Sequence, residues 1–167
     1  FKNTANNTAT TLNVLGDFNV TDGRMNFTAA GVLTIDIAGD YNQEVGTVYI
    51  AGAAGGTSTL TVNGDFNLKS GIFDIYGYNS TSYYAQLILY GHYNQTGGTC
   101  RSTYVGNGTN TKIVFRGANK NYIQNGGSTV VSTNIHYDLN FANASLNLLN
   151  GITIASGRSF FVQNGIL

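Results

Sequence analysis

Leu60-Thr61-Val62-Asn63-Gly64-Asp65-Phe66-Asn67-Leu68, followed at once by Gly71-Ile72-Phe73, is the stretch whose reading decides the fold. Leu60 and Val62 alternate with polar neighbours, and the alternation carries through to Phe66 and Leu68, the period of a strand with one buried face. The Gly-Asp-aromatic-Asn tetrad inside it recurs along the chain. It stands as Gly16-Asp17-Phe18-Asn19, Gly39-Asp40-Tyr41-Asn42, Gly64-Asp65-Phe66-Asn67 and Gly91-His92-Tyr93-Asn94, at intervals of 23, 25 and 27 residues. A second glycine follows each first one by seven residues, at Gly23, Gly46, Gly71 and Gly98, and a degenerate fifth unit is expected to open at Gly117. Upstream of the tetrads lie matching apolar pairs: Leu12 and Val14, Ile35 and Ile37, Leu60 and Val62, Leu87 and Leu89, Ile113 and Phe115. Downstream the alternation restarts at Met25 and Phe27, Val48 and Ile50, Phe73 and Ile75, then Cys100.

Self-similarity at a period near 25 residues marks a solenoid, in which no unit buries its apolar face alone. The pattern predicts an all-β chain, a right-handed parallel β-helix of about six coils of roughly 25 residues with two strong strands in each. Residues 1–167 form a single solenoid in this reading, with four regular coils over 12–111 and degenerate ones over 112–167. The polar segments of variable length, 51–58, 77–86 and 103–111, are insertions on one side. A propeller blade needs four strands in some 40 or more residues, which the short period excludes. Asn-Gly pairs, such as Asn63-Gly64 and Asn107-Gly108, leave local hairpins open.

Composition agrees with many short strands joined by tight corners. The 167 residues contain 22 glycines and neither proline nor tryptophan, so Gly, Asn, Thr and Ser must supply the turns. Eight Lys+Arg balance eight Asp+Glu, and this sparse charge gives no field to recruit nucleic acid or an anionic membrane. One cysteine makes neither an internal disulfide nor a zinc site. No apolar run approaches the eighteen or so residues of a membrane span. Phe1 stands where a start methionine is usual, and the chain ends on apolar Gly165-Ile166-Leu167. That end reads as a cut within a continuing array, so end-to-end self-association is expected.

Several residues invite a chemical reading and fall into the repeat instead. Asn19, Asn42, Asn67 and Asn94 share one position, where stacked amides form a structural ladder at a corner and tolerate left-handed backbone. Phe18, Tyr41, Phe66 and Tyr93 should stack from coil to coil inside. Asp17, Asp40 and Asp65 bring like charges into line, which suits calcium, but His92 interrupts them and no Gly-Gly-x-Gly-x-Asp motif is present, so solvated outward acids are expected. Cys100 aligns with Met25, Val48 and Phe73, making it a small buried hydrophobe. His92 and His136 lie in different repeats with no partner triad. No catalytic residue, metal site or cofactor is therefore expected. The candidate binding residues are Tyr76, Tyr78, Tyr83 and Tyr84, crowded into the longest insertion, where exposed rings would stack on surface glycans or anchor a protein.

The Leu-x-Val-x-Gly-Asp-Phe-Asn unit at 60–67 with Gly71-Ile72-Phe73 resembles the repeats of large secreted surface proteins common in Bacteroidota, often exported with a C-terminal sorting domain. The cadence of Ile113-Val114-Phe115-Arg116-Gly117, Tyr122-Ile123-Gln124, Tyr137-Asp138-Leu139 and Gly151-Ile152-Thr153-Ile154 is similar to that class as well. The resemblance implies an extracellular or cell-surface stalk or adhesin segment rather than an enzyme. A carbohydrate-binding β-helix using the tyrosine-rich loop is the alternative. A polysaccharide-active enzyme stands behind both, since it would need carboxylates clustered with Arg or Lys on one sheet face.

Overall fold

A computed structural model of the chain describes residues 9–27, 31–51, 56–76, 84–103, 111–129, 135–139, 141–154, 156–162 and 164–167. The first coil is β1 (Thr10–Val14), β2 (Phe18–Val20) and β3 (Arg24–Asn26), and the second is β4 (Val32–Ile37), β5 (Tyr41–Gln43) and β6 (Thr47–Ala51). The third contains β7 (Thr57–Val62), β8 (Phe66–Leu68) and β9 (Ile72–Tyr76); the fourth β10 (Tyr84–Leu89), β11 (Tyr93–Gln95) and β12 (Thr99–Arg101). The fifth is β13 (Thr111–Phe115), β14 (Lys120–Gln124) and β15 (Ser128–Thr129). Beyond it β16 (His136–Leu139) and β17 (Leu146–Leu148) extend two sheets, and β18 (Phe160–Val162) adds a last rung to one.

Corresponding strands stack into three parallel sheets. The first runs β1-β4-β7-β10-β13-β16-β18, the second from β2 through β5, β8, β11 and β14 to β17, and the third from β3 through β6, β9 and β12 to β15. The chain is a parallel β-solenoid with five complete coils among the described residues. Register follows the repeat: Leu12 sits on Ile35 and Ile35 on Leu60, while Phe18, Tyr41, Phe66 and Tyr93 succeed one another in the second sheet.

Two expectations need correcting. Each coil has three strands, because the tetrad does not prolong the strand before it. The chain bends at the tetrad glycine and the residue before it, and the aromatic opens a strand of its own. The bend takes up three residues, so the last inward side chain of one strand and the first of the next stand four apart, as Val62 and Phe66 do; the inward alternation survives, which is why the two arrangements look alike in sequence. The fifth coil is also out of phase with Gly117. Leu89 pairs with Phe115, an offset of 26, whereas Tyr93 pairs with Tyr122, an offset of 29. Three extra residues therefore enter the corner, where Asn119 takes a left-handed φ of 54°, and the stacking aromatic is Tyr122.

The second corner needs glycine for two reasons at once. Gly46 and Gly71 have φ of +84° and +77°, a region that costs an L-residue, and a β-carbon on Gly71 would strike the Gly46 carbonyl of the coil below. Inside, Leu33, Ile35, Ile37, Leu60, Val62, Leu87 and Ile113 form the apolar floor of the first sheet, all fully or almost fully buried.

Candidate functional site

The interior of the second sheet is a column of rings. Phe18–Tyr41, Tyr41–Phe66, Phe66–Tyr93 and Tyr93–Tyr122 lie 5.9, 4.9, 5.2 and 4.6 Å apart between centroids and within 18° of parallel. Phe73 closes on Tyr41 and Phe66 edge-on from the third sheet. A buried phenol needs a partner, and the chain provides one two residues on: Tyr41 donates to Gln43 Oε1 at 2.7 Å, Tyr93 to Gln95 at 2.8 Å and Tyr122 to Gln124 at 3.2 Å. The Gln43 amide then donates to the carbonyls of Gly46 and Ile72. Coils with phenylalanine place Val20 or Leu68 there instead. This coupling escaped the sequence reading, although Tyr-x-Gln against Phe-x-Val/Leu carries it. Burial pushes the Tyr41 and Tyr93 hydroxyls well above their ordinary pKa.

On the outer side of the same strands Asn42 donates to Asn19 Oδ1 at 3.0 Å, Asn67 to Asn42 at 2.9 Å and Asn94 to Asn67 at 2.9 Å. These asparagines sit at strand centres, not at a corner; the left-handed backbone belongs to Asn119, Asn143 and the glycines. The row stops where Ile123 faces Asn94, and a second one, Asn147 to Asn121 at 3.1 Å, begins two residues upstream.

The aspartates also have structural partners. Asp17 Oδ1 accepts the Asp40 backbone N–H at 2.9 Å, Asp40 that of Asp65 at 2.7 Å, and Asp65 that of His92 at 2.8 Å. His92 Nδ1 then accepts the Asn121 N–H at 2.9 Å, performing the same task with an imidazole. They are not merely solvated acids: each caps the amide of the next coil, a strong charge-assisted bond except at His92. The preceding glycine makes room, since a β-carbon at Gly39 or Gly64 would land on that carboxylate.

The tyrosine cluster does not come together as one surface among the described residues. Tyr76 is fully buried in the core at the end of β9, so its ring is not offered to a ligand, while Tyr84 opens β10 and is 40 % exposed. Tyr78 and Tyr83 lie outside the described residues. Asp74 is fully buried on the third sheet and holds Arg101 Nε at 2.8 Å, the Thr103 N–H at 3.1 Å and the Thr103 hydroxyl. Cys100 is paired in register with Phe73 and completely buried; desolvation, opposed by a hydrogen bond to Tyr93, pushes its thiol up to about 12. A thiol in that state is no nucleophile at neutral pH.

The outer face of the first sheet carries what chemistry remains. In the lower coils its residues are Thr11, Asn13, Thr34, Asp36, Thr59 and Thr61. In the upper coils Ile88, Val114, His136 and Asp138 occupy the same face and are buried, with Lys112 Nζ 3.3 Å from Asp138 Oδ2 and His136 stacked on Phe161. Among the described residues no three His, Cys, Asp or Glu side chains converge as metal ligands. At the corner after this sheet lies a groove of about 230 Å³ bounded by Asn13, Val14, Leu15, Asp36, Ala38 and Asn63.

Fold and site together define a repeat protein of the parallel β-solenoid class, whose recurrent side chains bind coil to coil. Compared with protein-family models, curated proteins and solved structures, the chain gives no match. No helix of the described residues is long and apolar enough to cross a membrane.

Proposed function

We propose that the chain is a structural segment, a stalk or adhesin shaft, of an extracellular bacterial surface protein, and that it is not an enzyme. One observation carries the reading: the side chains that recur from coil to coil are directed at the neighbouring coil. The ring column, the amide row and the carboxylate-to-amide caps all run along the axis. A shaft needs axial cohesion above all, and cohesion repeated in each coil makes length a matter of unit number.

Pulling the chain from its two ends between marker domains tests this. A shaft should resist and then give way in steps of one coil, about 25 residues or ~80–90 Å of released chain. Featureless extension at forces below those that open the markers contradicts the proposal.

A second reading places a surface glycan on the tyrosine-rich insertion, favoured by the exposed ring of Tyr84. Glycan-array binding that disappears when Tyr78, Tyr83 and Tyr84 are changed to alanine supports it. Tyr76 is left out of that variant because its loss would damage the core.

A further inference from the structure

The corner that follows the first sheet is one continuous column. Ala38, Asn63, Tyr90 and Arg116 each donate a backbone N–H to the preceding coil, at Val14, Ile37, Val62 and Leu89, which stacks Leu15, Ala38, Asn63, Tyr90 and Arg116 in line. Its lower half is the groove beside Asn13 and Asp36. There the Asn63 amide donates to Asp36 Oδ1 at 2.7 Å and to the Ile37 carbonyl at 3.0 Å, so carboxylate and amide are held side by side. Leu15, 91 % exposed, stands next to them as an apolar flank with no use in the core. The upper half is aromatic: Tyr90 meets Phe141 edge-on at 6.3 Å, and the Arg116 guanidinium lies 5.9 Å over the Phe141 ring.

We infer that this corner binds a linear neutral polysaccharide lying parallel to the solenoid axis. The chemistry selects the class. The remaining carboxylate oxygen of Asp36 and the Asn63 carbonyl accept from sugar hydroxyls and the Asn13 amide donates to one, Leu15 covers the apolar face of a sugar ring, and the Tyr90 ring, braced edge-on by Phe141, offers a face to stack on. A peptide strand would need free backbone groups, whereas the column's N–H groups already bond the coil below. The chain's low and balanced charge gives no selection for nucleic acid. Successive coils rise ~4.8 Å, close to the advance of one pyranose in an extended glycan, so the five rises from Leu15 to the coil of Phe141 span about 24 Å. The inference goes beyond the shaft reading and uses a site separate from the tyrosine-rich insertion.

The test is titration calorimetry of the chain with β-1,4-linked glucose and mannose oligomers of increasing length, and with an oligogalacturonate as the acidic comparison. Binding should strengthen with the number of residues in at least one neutral series. Asp36→Ala and Tyr90→Ala should each weaken the longest oligomer about tenfold, or ~1.4 kcal/mol, the worth of one good polar contact or stacking contact. Asn13→Ala should weaken it less, and Lys69→Ala, an exposed residue paired with Glu44, should leave it unchanged. The inference is overturned if no neutral oligomer binds at millimolar concentration, if only the acidic one does, or if binding is lost in Tyr84→Ala and kept in the Asp36 and Tyr90 variants. A corner that instead joins two copies of the chain, shown by Leu15→Ser abolishing self-association without any sugar binding, overturns it as well. None of these outcomes bears on the pulling experiment.

Discussion

Replacing Gly64 by alanine should destabilise the solenoid by several kcal/mol, while the same replacement at Gly16, the equivalent residue one end of the column away, should not. At Gly64 the new β-carbon would fall on Asp40 Oδ1 and lie 2.7 Å from the carbonyl carbon and oxygen of Gly39. Expelling the carboxylate breaks its 2.7 Å bond to the Asp65 N–H, a charged hydrogen bond worth about 1.5–3 kcal/mol. Residual crowding against Gly39 adds roughly 1–3 kcal/mol, and the stiffer unfolded chain returns about 0.4–1 kcal/mol. The net loss is about 2–5 kcal/mol, which for a chain of this length lowers the melting temperature by of the order of 10 °C. Gly16 has no atom within 4 Å of its would-be β-carbon, so only the unfolded-state gain of about 0.4–1 kcal/mol remains. Urea titrations of both variants followed by far-ultraviolet circular dichroism measure the difference. If the two agree within about 0.5 kcal/mol, the carboxylate-to-amide cap is not what the glycine protects.

Asn67→Ala removes two ladder bonds and Asn19→Ala one, so at ~0.5–1.5 kcal/mol per bond the first should lose about twice the stability of the second in the same titrations. Tyr41→Phe leaves Gln43 Oε1 without its donor and should cost about 1–3 kcal/mol; adding Gln43→Leu, the arrangement of Phe66 and Leu68, should recover much of that in a double-mutant cycle. Cys100 should resist alkylation at pH 8 in the folded chain and react once urea unfolds it. Because its folded pKa is raised from 9.0 to about 12, its contribution is intact below pH 9 and is lost as pH rises towards 12, at ~1.4 kcal/mol per unit. Cys100→Val should flatten the onset of alkaline unfolding in pH-jump melts. The tyrosines whose pKa is also raised steepen it further above pH 10.

The repeat was legible because burial in a solenoid is periodic: whatever alternates in one coil must alternate in the next for the sheets to close. The inward parity of Leu60, Val62 and Phe66 could thus be read directly, and so could the alignment of Cys100 with Phe73. What could not be read was where the chain turns. A bend of three residues sets the flanking inward positions four apart and so preserves parity, and the first and second strands merge in sequence. The out-of-phase fifth coil was hidden for a related reason, since Gly117 imitates the tetrad glycine while the extra residues beyond it move the ring to Tyr122. For the binding surface, residue type misled. Tyr76 has the same composition signal as Tyr84 and the opposite burial, and the corner from Leu15 to Arg116 joins residues about 25 apart that no local motif connects.

The added residues in the fifth corner behave as a stacking fault in a crystal does. The ring column passes straight across, Tyr93 to Tyr122 at 4.6 Å, while the amide row on the rim terminates at Asn94 and restarts, displaced, at Asn121. The layers on either side keep their ring contact and backbone pairing but lose the side-chain amide bond along that edge. Such a plane is the natural line of cleavage in a layered solid. In this chain it divides four coils in strict succession from the coils beyond, so bending and unravelling will localise between β11 and β14, leaving the lower block intact as the upper one opens.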